Sequence, residues 1–147
     1  MRSWTSPLPF FPAHELACKG SGEILLDIHF AVALPALRME WGGPLTPTSV
    51  CRTPAHNKNV GGHPRSMHLT VNPARKTAGC MAADIAWRDW NSETQLRFAK
   101  LARKMGWSVG LHDGFCHIDR RADIGMAKNV FLYGTWSGAF TVDDVTG

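Results

Sequence analysis

Three polar side chains lie in apolar surroundings and are the first candidates for chemistry in this sequence. His68 lies in the segment SMHL, Asp84 in AADI and His117 in FCHID. An ionised aspartate between apolar neighbours is costly unless a counter-ion or a metal ion pairs with it. Two histidines and one aspartate form a recognised zinc ligand set with an open fourth position for water. Each residue taken alone favours a structural role over a ligand role. Spacing does not decide between them, because the three residues come from distant segments.

The composition excludes several classes of protein. The 147 residues are 44% hydrophobic and 19% charged, which is typical of an ordered domain and not of a disordered chain. The longest apolar run, residues 30–37, is too short to span a bilayer and contains Pro35, so we expect no membrane insertion. The net charge of +4 is scattered along the chain. It forms no basic stripe, so we expect no nucleic-acid partner.

The four cysteines are spread along the chain without any CxxC pair. This spacing argues against a zinc ribbon and against a thioredoxin-like redox motif. Residues 1–11 lack a continuous apolar core, so the sequence predicts no secretory signal. Free thiols in a reducing compartment are therefore expected.

Hydrophobic periodicity predicts the elements of the first half of the chain. Apolar residues at helical spacing predict a helix over 23–41, which Pro35 should kink or divide and which the segment Gly-Gly-Pro at 42–44 should end. A strand is predicted over 45–53, followed by a loop over 54–70. Residues 80–87 read as a short buried strand that carries Asp84.

The second half contains a helix and a hairpin. Ser92 is predicted as the N-cap of the helix, with Gln95 completing a capping box and Gly106 following its end. Two strands, 108–112 and 115–120, are joined by Asp-Gly, which is typical of a two-residue hairpin turn. Residues 130–142 are predicted as an edge strand or an arm. The whole order predicts an α+β protein with a small, mostly antiparallel sheet and flanking helices.

Four segments, in this order, resemble the M15 peptidases, the zinc D-alanyl-D-alanine carboxypeptidase family. They are SVCRTPAHNKNVGG, SMHL, AADI and FCHIDRR, and the similarity extends over roughly residues 15 to 121. The resemblance implies the zinc D-Ala-D-Ala carboxypeptidase-like (hedgehog/DD-peptidase) fold. It implies one domain with a core at about 14–121 and a C-terminal extension over 122–147. It also implies that His68, Asp84 and His117 bind Zn²⁺.

The same resemblance assigns roles to further residues. Arg52 matches the substrate-binding arginine of the family, whose planar guanidinium can hold a peptide carboxylate or carbonyl. Ser66 matches a serine two residues before the first ligand. Relatives place the general base shortly before the last ligand, where this chain has Asp113 and His112. We prefer Asp113, although it can equally be only a turn residue, and His112 can instead donate a hydrogen bond to the developing oxyanion.

The chain departs from the family between the first two ligands. Fifteen residues separate His68 from Asp84, where relatives usually have about six, and a loop insertion of this size costs little entropy. We expect residues 70–79, with Arg75 and Lys76, to form a hairpin or flap beside the cleft. His56 and His63 are interpreted as loop residues and not as ligands.

Asp119 lies two residues beyond His117 and therefore on the same face of a strand. Its carboxylate can orient a ligand from behind. An ordinary surface salt bridge is an equally good interpretation of this residue.

The function implied by the resemblance is zinc-dependent hydrolysis of peptidoglycan stem peptides, at a D-Ala-D-Ala or an L-Ala-D-Glu bond. Because many relatives are phage-encoded lysis enzymes, we expect residence in the host cytoplasm before release to the cell wall, or in the virion beside other virion proteins. The alternative is a non-catalytic peptidoglycan-binding or virion structural module that retains the fold. The long spacing between the ligands and the weak candidate for the base favour that alternative.

Overall fold

A computed structural model describes residues 3–73 and 77–147 of the chain. The helices, in chain order, are α1 (Ala13–Leu16), α2 (Ile28–Trp41), α3 (Pro54–Asn59), α4 (Ser92–Lys104) and α5 (Val142–Thr146), with a 3-10 turn at Arg121–Ile124. The strands are β1 (Ser3–Trp4), β2 (Leu26–Asp27), β3 (Pro47–Ser49), β4 (Val71–Asn72), β5 (Thr77–Ala78), β6 (Ala82–Ala86), β7 (Ser108–Leu111), β8 (Phe115–Asp119) and β9 (Val130–Leu132).

The main sheet has five strands in the order β3-β6-β8-β7-β9. All neighbouring pairs are antiparallel except β7 with β9, which run parallel. The predicted α+β class with a mostly antiparallel sheet is therefore confirmed. In the register of the central pair, Asp84 of β6 lies opposite His117 of β8.

The two faces of this sheet differ in chemistry because successive side chains of a strand alternate between its faces. One face is apolar and joins α2 and α4 in a common core, to which the strands contribute Ile85, Val109, Leu111, Cys116 and Ile118. The other face carries the buried polar side chains of Asp84, His117 and Asp119. The fold thus places the polar side chains on one face of the sheet, and the other face packs against the core.

The first long helix begins later than predicted. Residues Leu26 and Asp27 form a strand that pairs with β1, so the helix starts at Ile28 and not at residue 23. Asp27 is its N-cap, and its carboxylate accepts hydrogen bonds from the N–H groups of His29 and Phe30 at 3.0 Å. Pro35 was predicted to kink or divide the helix, and the helix is not divided there but continues to Trp41. It ends, as predicted, at Gly42 with φ +78°.

The segment predicted as a loop over 54–70 contains the short helix α3. Thr53 is its N-cap, and the Thr53 hydroxyl accepts a hydrogen bond from the N–H of His56 at 3.3 Å. Pro54 occupies the first helical position, where its missing N–H and fixed φ are favourable. The pair Thr53-Pro54 is thus the local signal that begins this helix.

Two details of the second half also differ from the prediction. Asn91, and not Ser92, caps α4, because the Asn91 side chain accepts the hydrogen bond of the Thr94 N–H at 2.8 Å. The side chain of Gln95 bonds to the carbonyl of Trp87 instead of closing a capping box. The predicted two-residue turn is wrong as well, since the last β7–β8 pair is Leu111 with Cys116 and encloses four residues.

The segment after residue 121 completes the fold. The strand β9 lies at the edge of the sheet, as predicted for part of 130–142, and α5 follows it. Phe140 and Val145 are buried in the core beside Trp87 and α4. In the described part of the chain, no helix has the length and apolar character that crossing a membrane would require.

The insertion forms a small hairpin of β4 and β5, in agreement with the expected hairpin or flap. Its tip, with Arg75 and Lys76, lies outside the described residues. The side-chain amide of Asn72 donates hydrogen bonds to the carbonyls of Arg65 and Ser66 at 3.2 Å. This contact ties the hairpin to the segment that leads to His68.

Candidate metal centre

The side chains of His68, Asp84 and His117 meet at one buried point. Nε2 of His68 lies 3.1 Å from Oδ1 of Asp84, and Nδ1 of His117 lies 2.9 Å from the same oxygen. The donor atoms of the three residues are all within 4.8 Å of one another. The β6–β8 register supplies the aspartate and one histidine, and the segment after the Ser66 turn supplies the other.

Each histidine has a polar partner on the ring nitrogen that faces away from this point. The Nδ1–H of His68 donates to the carbonyl of Val50 at 2.7 Å, and the Nε2–H of His117 donates to Oδ2 of Asp119 at 2.8 Å. Such partners fix the orientation of the ring and the tautomer of a metal-ligating histidine. They leave Nε2 of His68 and Nδ1 of His117 as the nitrogens that face Asp84.

The donor set fits a tetrahedral zinc ion. With bonds of about 2.0–2.1 Å, neighbouring donors around tetrahedral zinc are roughly 3.3 Å apart. The two measured nitrogen–oxygen distances are close to this value. All three residues are at most 2% exposed, and three protein donors leave one position of the tetrahedron open. The residues present therefore suit the ion that this chemistry requires.

The electrostatics of the centre favour a cation. Burial raises the pKa of Asp84, but the charges and hydrogen bonds of His68 and His117 outweigh burial and hold the pKa well below its usual range. Burial lowers the pKa of His117, but the hydrogen bonds that it donates to Asp119 and Asp84 outweigh burial and raise the pKa to about 9. Two carboxylates thus surround one imidazole, which takes up a proton when no metal ion supplies the positive charge.

Asp119 is a buried partner of His117 and not an ordinary surface ion pair. Its two carboxylate oxygens also accept hydrogen bonds from Nε and Nη2 of Arg121 at 2.9 and 2.7 Å. Burial raises the pKa of Asp119, and the bonds from His117 and Arg121 bring it well below its usual range. The carboxylate therefore stays ionised, and it fixes the ring of His117 by accepting the hydrogen bond of the nitrogen that faces away from the centre.

Arg52 and Ser66, the predicted substrate-binding residues, lie next to the donors. Nη2 of Arg52 lies 3.5 Å from Oδ2 of Asp84. Its Nε bonds to the hydroxyl of Ser49 and its Nη1 to the side chain of Asn57, at 3.2 and 3.3 Å. Ser66 accepts a hydrogen bond from the N–H of His68 at 3.1 Å through its hydroxyl. The guanidinium is therefore held at the edge of the centre, in a fixed orientation.

The two base candidates lie in the loop between β7 and β8. The carboxylate of Asp113 accepts hydrogen bonds from the N–H and hydroxyl of Ser137 at 2.7 and 3.0 Å, and these bonds lower its pKa. Nδ1 of His112 accepts a hydrogen bond from the N–H of Gly114 at 2.9 Å, so its Nε2 carries the hydrogen in the neutral ring. The ring of His112 stacks on Phe115 with a centroid distance of 4.1 Å. In this structure neither side chain contacts the three donors.

A pocket of about 260 Å³ opens beside His117. Its lining residues are His63, Arg65, Ser66, Met67, His117, Arg121 and Tyr133. Most of these side chains are polar or cationic, which suits a ligand with carboxylates or peptide carbonyls. His63 lines this pocket, and His56 lies in α3; neither belongs to the group of three donors.

The sequence prediction missed Tyr133 and Phe131, both from the C-terminal extension. The ring of Tyr133 stacks on the imidazole of His117 with centroids 4.3 Å apart and planes 9° apart. The ring centroid of Phe131 lies 5.8 Å from the centroid of the same imidazole. Burial and the charge of Asp84 raise the pKa of the Tyr133 phenol, and the guanidinium of Arg52 offsets part of the rise. The aromatic residues of the extension were visible as a cluster, but no sequence signal paired them with His117.

Comparison with known proteins gives one family. The family model described as Peptidase M15 matches residues 11–119 of the chain. This range contains the three donors, Arg52, Ser66 and the loop before β8, and it ends before β9. No curated protein matches the chain.

Proposed function

The chain belongs to the M15 peptidase family, and from this premise we propose that it is a zinc-dependent peptidase that hydrolyses the stem peptides of bacterial peptidoglycan. The observation that carries the proposal is the meeting of His68, Asp84 and His117 at one buried point, with a polar partner behind each histidine. Peptidases of this family are zinc-dependent in general, which agrees with the chemistry of the donors.

In this proposal His68, Asp84 and His117 hold the ion. Bound zinc lowers the pKa of a water molecule and polarises a carbonyl oxygen. Arg52 orients the peptide, because its guanidinium is fixed at the edge of the centre by Ser49 and Asn57 and can offer two parallel hydrogen bonds. Ser66 contributes a hydroxyl to the wall of the pocket beside His117.

Proton transfer is assigned to the loop between β7 and β8. Asp113 is the proposed proton acceptor, and it must exchange its bonds to Ser137 for contact with the nucleophilic water. His112 is the proposed hydrogen-bond donor to the developing oxyanion, because its Nδ1 already accepts from Gly114 and its Nε2 carries the hydrogen. The proton then passes from Asp113 to the leaving amine, as general acid–base catalysis requires.

The proposed substrates are peptides with free carboxylates, since Arg65, Arg121 and His63 line the pocket. Both family reactions, D-Ala-D-Ala carboxypeptidase and L-Ala-D-Glu endopeptidase activity, fit this chemistry. We further propose a phage-encoded lysis or virion-associated role, on the family resemblance alone. A second candidate function is a non-catalytic peptidoglycan-binding or virion structural module, which the engagement of Asp113 by Ser137 favours.

One experiment tests both candidates. We expect the purified chain to contain one zinc ion and to release amino groups from purified peptidoglycan, and mass spectrometry of the products identifies the cleaved bond. His117→Ala should lose the zinc and the activity, whereas His14→Ala, which changes an exposed histidine, should keep both. Bound zinc without cleavage would favour the binding module, and absence of zinc would contradict both.

A further inference from the structure

Tyr133 contacts His117, although it lies beyond the part of the chain that matches the family model. The family similarity ends at residue 119, and Tyr133 directly follows β9 at the edge of the sheet. Its N–H donates to the carbonyl of Leu111 at 2.9 Å, which extends the β7–β9 pairing by one residue. The position of its side chain is therefore set by the sheet and not by a free loop.

The missing side chain of Gly110 makes room for this contact. Gly110 lies opposite His117 in the β7–β8 register and opposite Phe131 in the β7–β9 register. A Cβ atom at this position would lie 2.9 Å from Cβ of Tyr133 and 3.1 Å from Cβ of His117. These distances are too short for carbon atoms in ordinary contact, so a larger residue would push the two rings apart.

The Tyr133 ring covers the imidazole of His117 nearly face to face, at 4.3 Å. The imidazole is thereby fixed by the Asp119 carboxylate at Nε2 and by an aromatic plane on one face. Tyr133 also lines the pocket, together with Ser66 and Arg121. The same residue thus contacts both a proposed ligand and the proposed substrate space.

We propose that Tyr133 is a positioning residue of the metal centre and forms a wall of the substrate pocket. Its ring holds the imidazole of His117 in the plane in which Nδ1 reaches Asp84, so it slows the loss of the ion. The part of this inference that concerns substrate rests on the proposed peptidase function. The part that concerns the ion does not.

The role of the Tyr133 ring is tested by measuring the rate of zinc dissociation from the full chain with a chromogenic chelator. Tyr133→Leu removes the aromatic plane, and we expect zinc to dissociate about tenfold faster, the lower end of the effect of residues that orient ligands. Tyr133→Phe keeps the ring and should dissociate within about twofold of the unchanged protein.

Leu132→Ala is the matched control, because Leu132 is the neighbouring residue and is 61% exposed. It should leave zinc dissociation unchanged. With stem peptide as substrate, Tyr133→Leu should raise KM more than it lowers kcat when both are measured with saturating zinc. The proposal is overturned if the leucine variant retains zinc like the unchanged protein, or if the phenylalanine variant loses zinc as fast as the leucine variant.

Zinc dissociation is measured without substrate, so the two proposals fail separately. Accelerated loss of zinc in Tyr133→Leu together with no cleavage by any form would refute the peptidase function alone. Cleavage by all forms with equal zinc dissociation would refute the role of Tyr133 alone.

Discussion

Nε2 of His117 and Oδ2 of Asp119 lie 2.8 Å apart, although the two residues are separated by only one residue on the same strand. The bond exists because both side chains point to the polar face of β8. It makes the orientation of a proposed ligand depend on a carboxylate that is itself outside the donor set. The first prediction tests this dependence.

Asp119→Asn should weaken zinc binding by about 10- to 100-fold, because the carboxylate orients the ring of His117 and increases its basicity. The asparagine keeps the size of the side chain, so the core beneath should be little changed. Competition with a chelator of known affinity measures the effect. Asp123→Asn is the control, since Asp123 pairs with Arg120 at the surface; an equal loss in both variants would contradict the assigned role.

The stability of the metal-free protein should fall as the pH rises. An unfolded histidine has a pKa of about 6.5. In the folded state, the hydrogen bonds that His117 donates to Asp119 and Asp84 outweigh burial and raise its pKa to about 9. The folded state therefore binds the proton more tightly, and this stabilisation is fully present below about pH 6.5 and is lost as the pH passes through about 9. Melting temperatures of chelator-treated protein at several pH values measure the loss.

The zinc-loaded protein is the reference for that experiment. The melting temperature of the metal-free protein should fall relative to that of the zinc-loaded protein between about pH 6.5 and 8.5, because the ion replaces the proton on His117. The Cys18 thiol opposes the fall in both forms, since hydrogen bonds with Thr53 and Ser21 outweigh burial and lower its folded pKa to about 7. Burial raises the pKa of the thiols of Cys80 and Cys116, and these groups also affect both forms above about pH 8.5. A difference between the two forms that stays constant over the window would refute the raised pKa of His117.

Asp113→Asn should lower kcat by about 100-fold or more and keep the zinc, if Asp113 is the proton acceptor. Ser137→Ala removes the hydroxyl that holds the carboxylate and should raise the pKa of Asp113, so activity should be kept or increased. Asp113→Asn should therefore lower activity, whereas Ser137→Ala should not. Equal losses would show that the pair only fixes the loop, and full activity of Asp113→Asn would direct the next test to His112→Asn.

Asn72→Ala should change the choice of substrate more than the binding of zinc. The Asn72 amide holds the carbonyls of Arg65 and Ser66 at 3.2 Å, and both residues line the pocket beside His117. Relative kcat/KM values for stem peptides of different lengths measure the effect. Unchanged ratios, or loss of zinc from the variant, would contradict this role of the hairpin.

Much of the fold was predictable because its elements have local signals. Periodicity and the Gly-rich ends located α2 and α4, and the buried strands β6 and β8 were evident from short apolar runs. The errors are at boundaries, where local choices compete. Asp27 has two roles, as a strand residue and as an N-cap, and Asn91 is a better placed cap than Ser92 for the bond to Thr94.

The family resemblance and the chemistry of single residues predicted which residues form the candidate site, but not how they are arranged. His68, Asp84 and His117 could be named because polar residues in apolar segments need partners. Their common point depends on the β6–β8 register, which no local pattern determines. Tyr133 could not be found from the sequence, because its contact requires that β9 adds to the edge of β7 and that Gly110 leaves space for the ring.

The parallel pairing of β9 with β7 has a practical consequence for work with shortened chains. Truncation after residue 121 would remove β9 and make β7 the edge strand of the sheet. The N–H and carbonyl groups along that edge would then be unpaired, which favours aggregation by pairing with strands of other molecules. Truncation would also uncover the apolar surface that Phe140 and Val145 now shield. A fragment chosen by similarity alone would therefore be expected to precipitate, and recombinant versions should extend through α5.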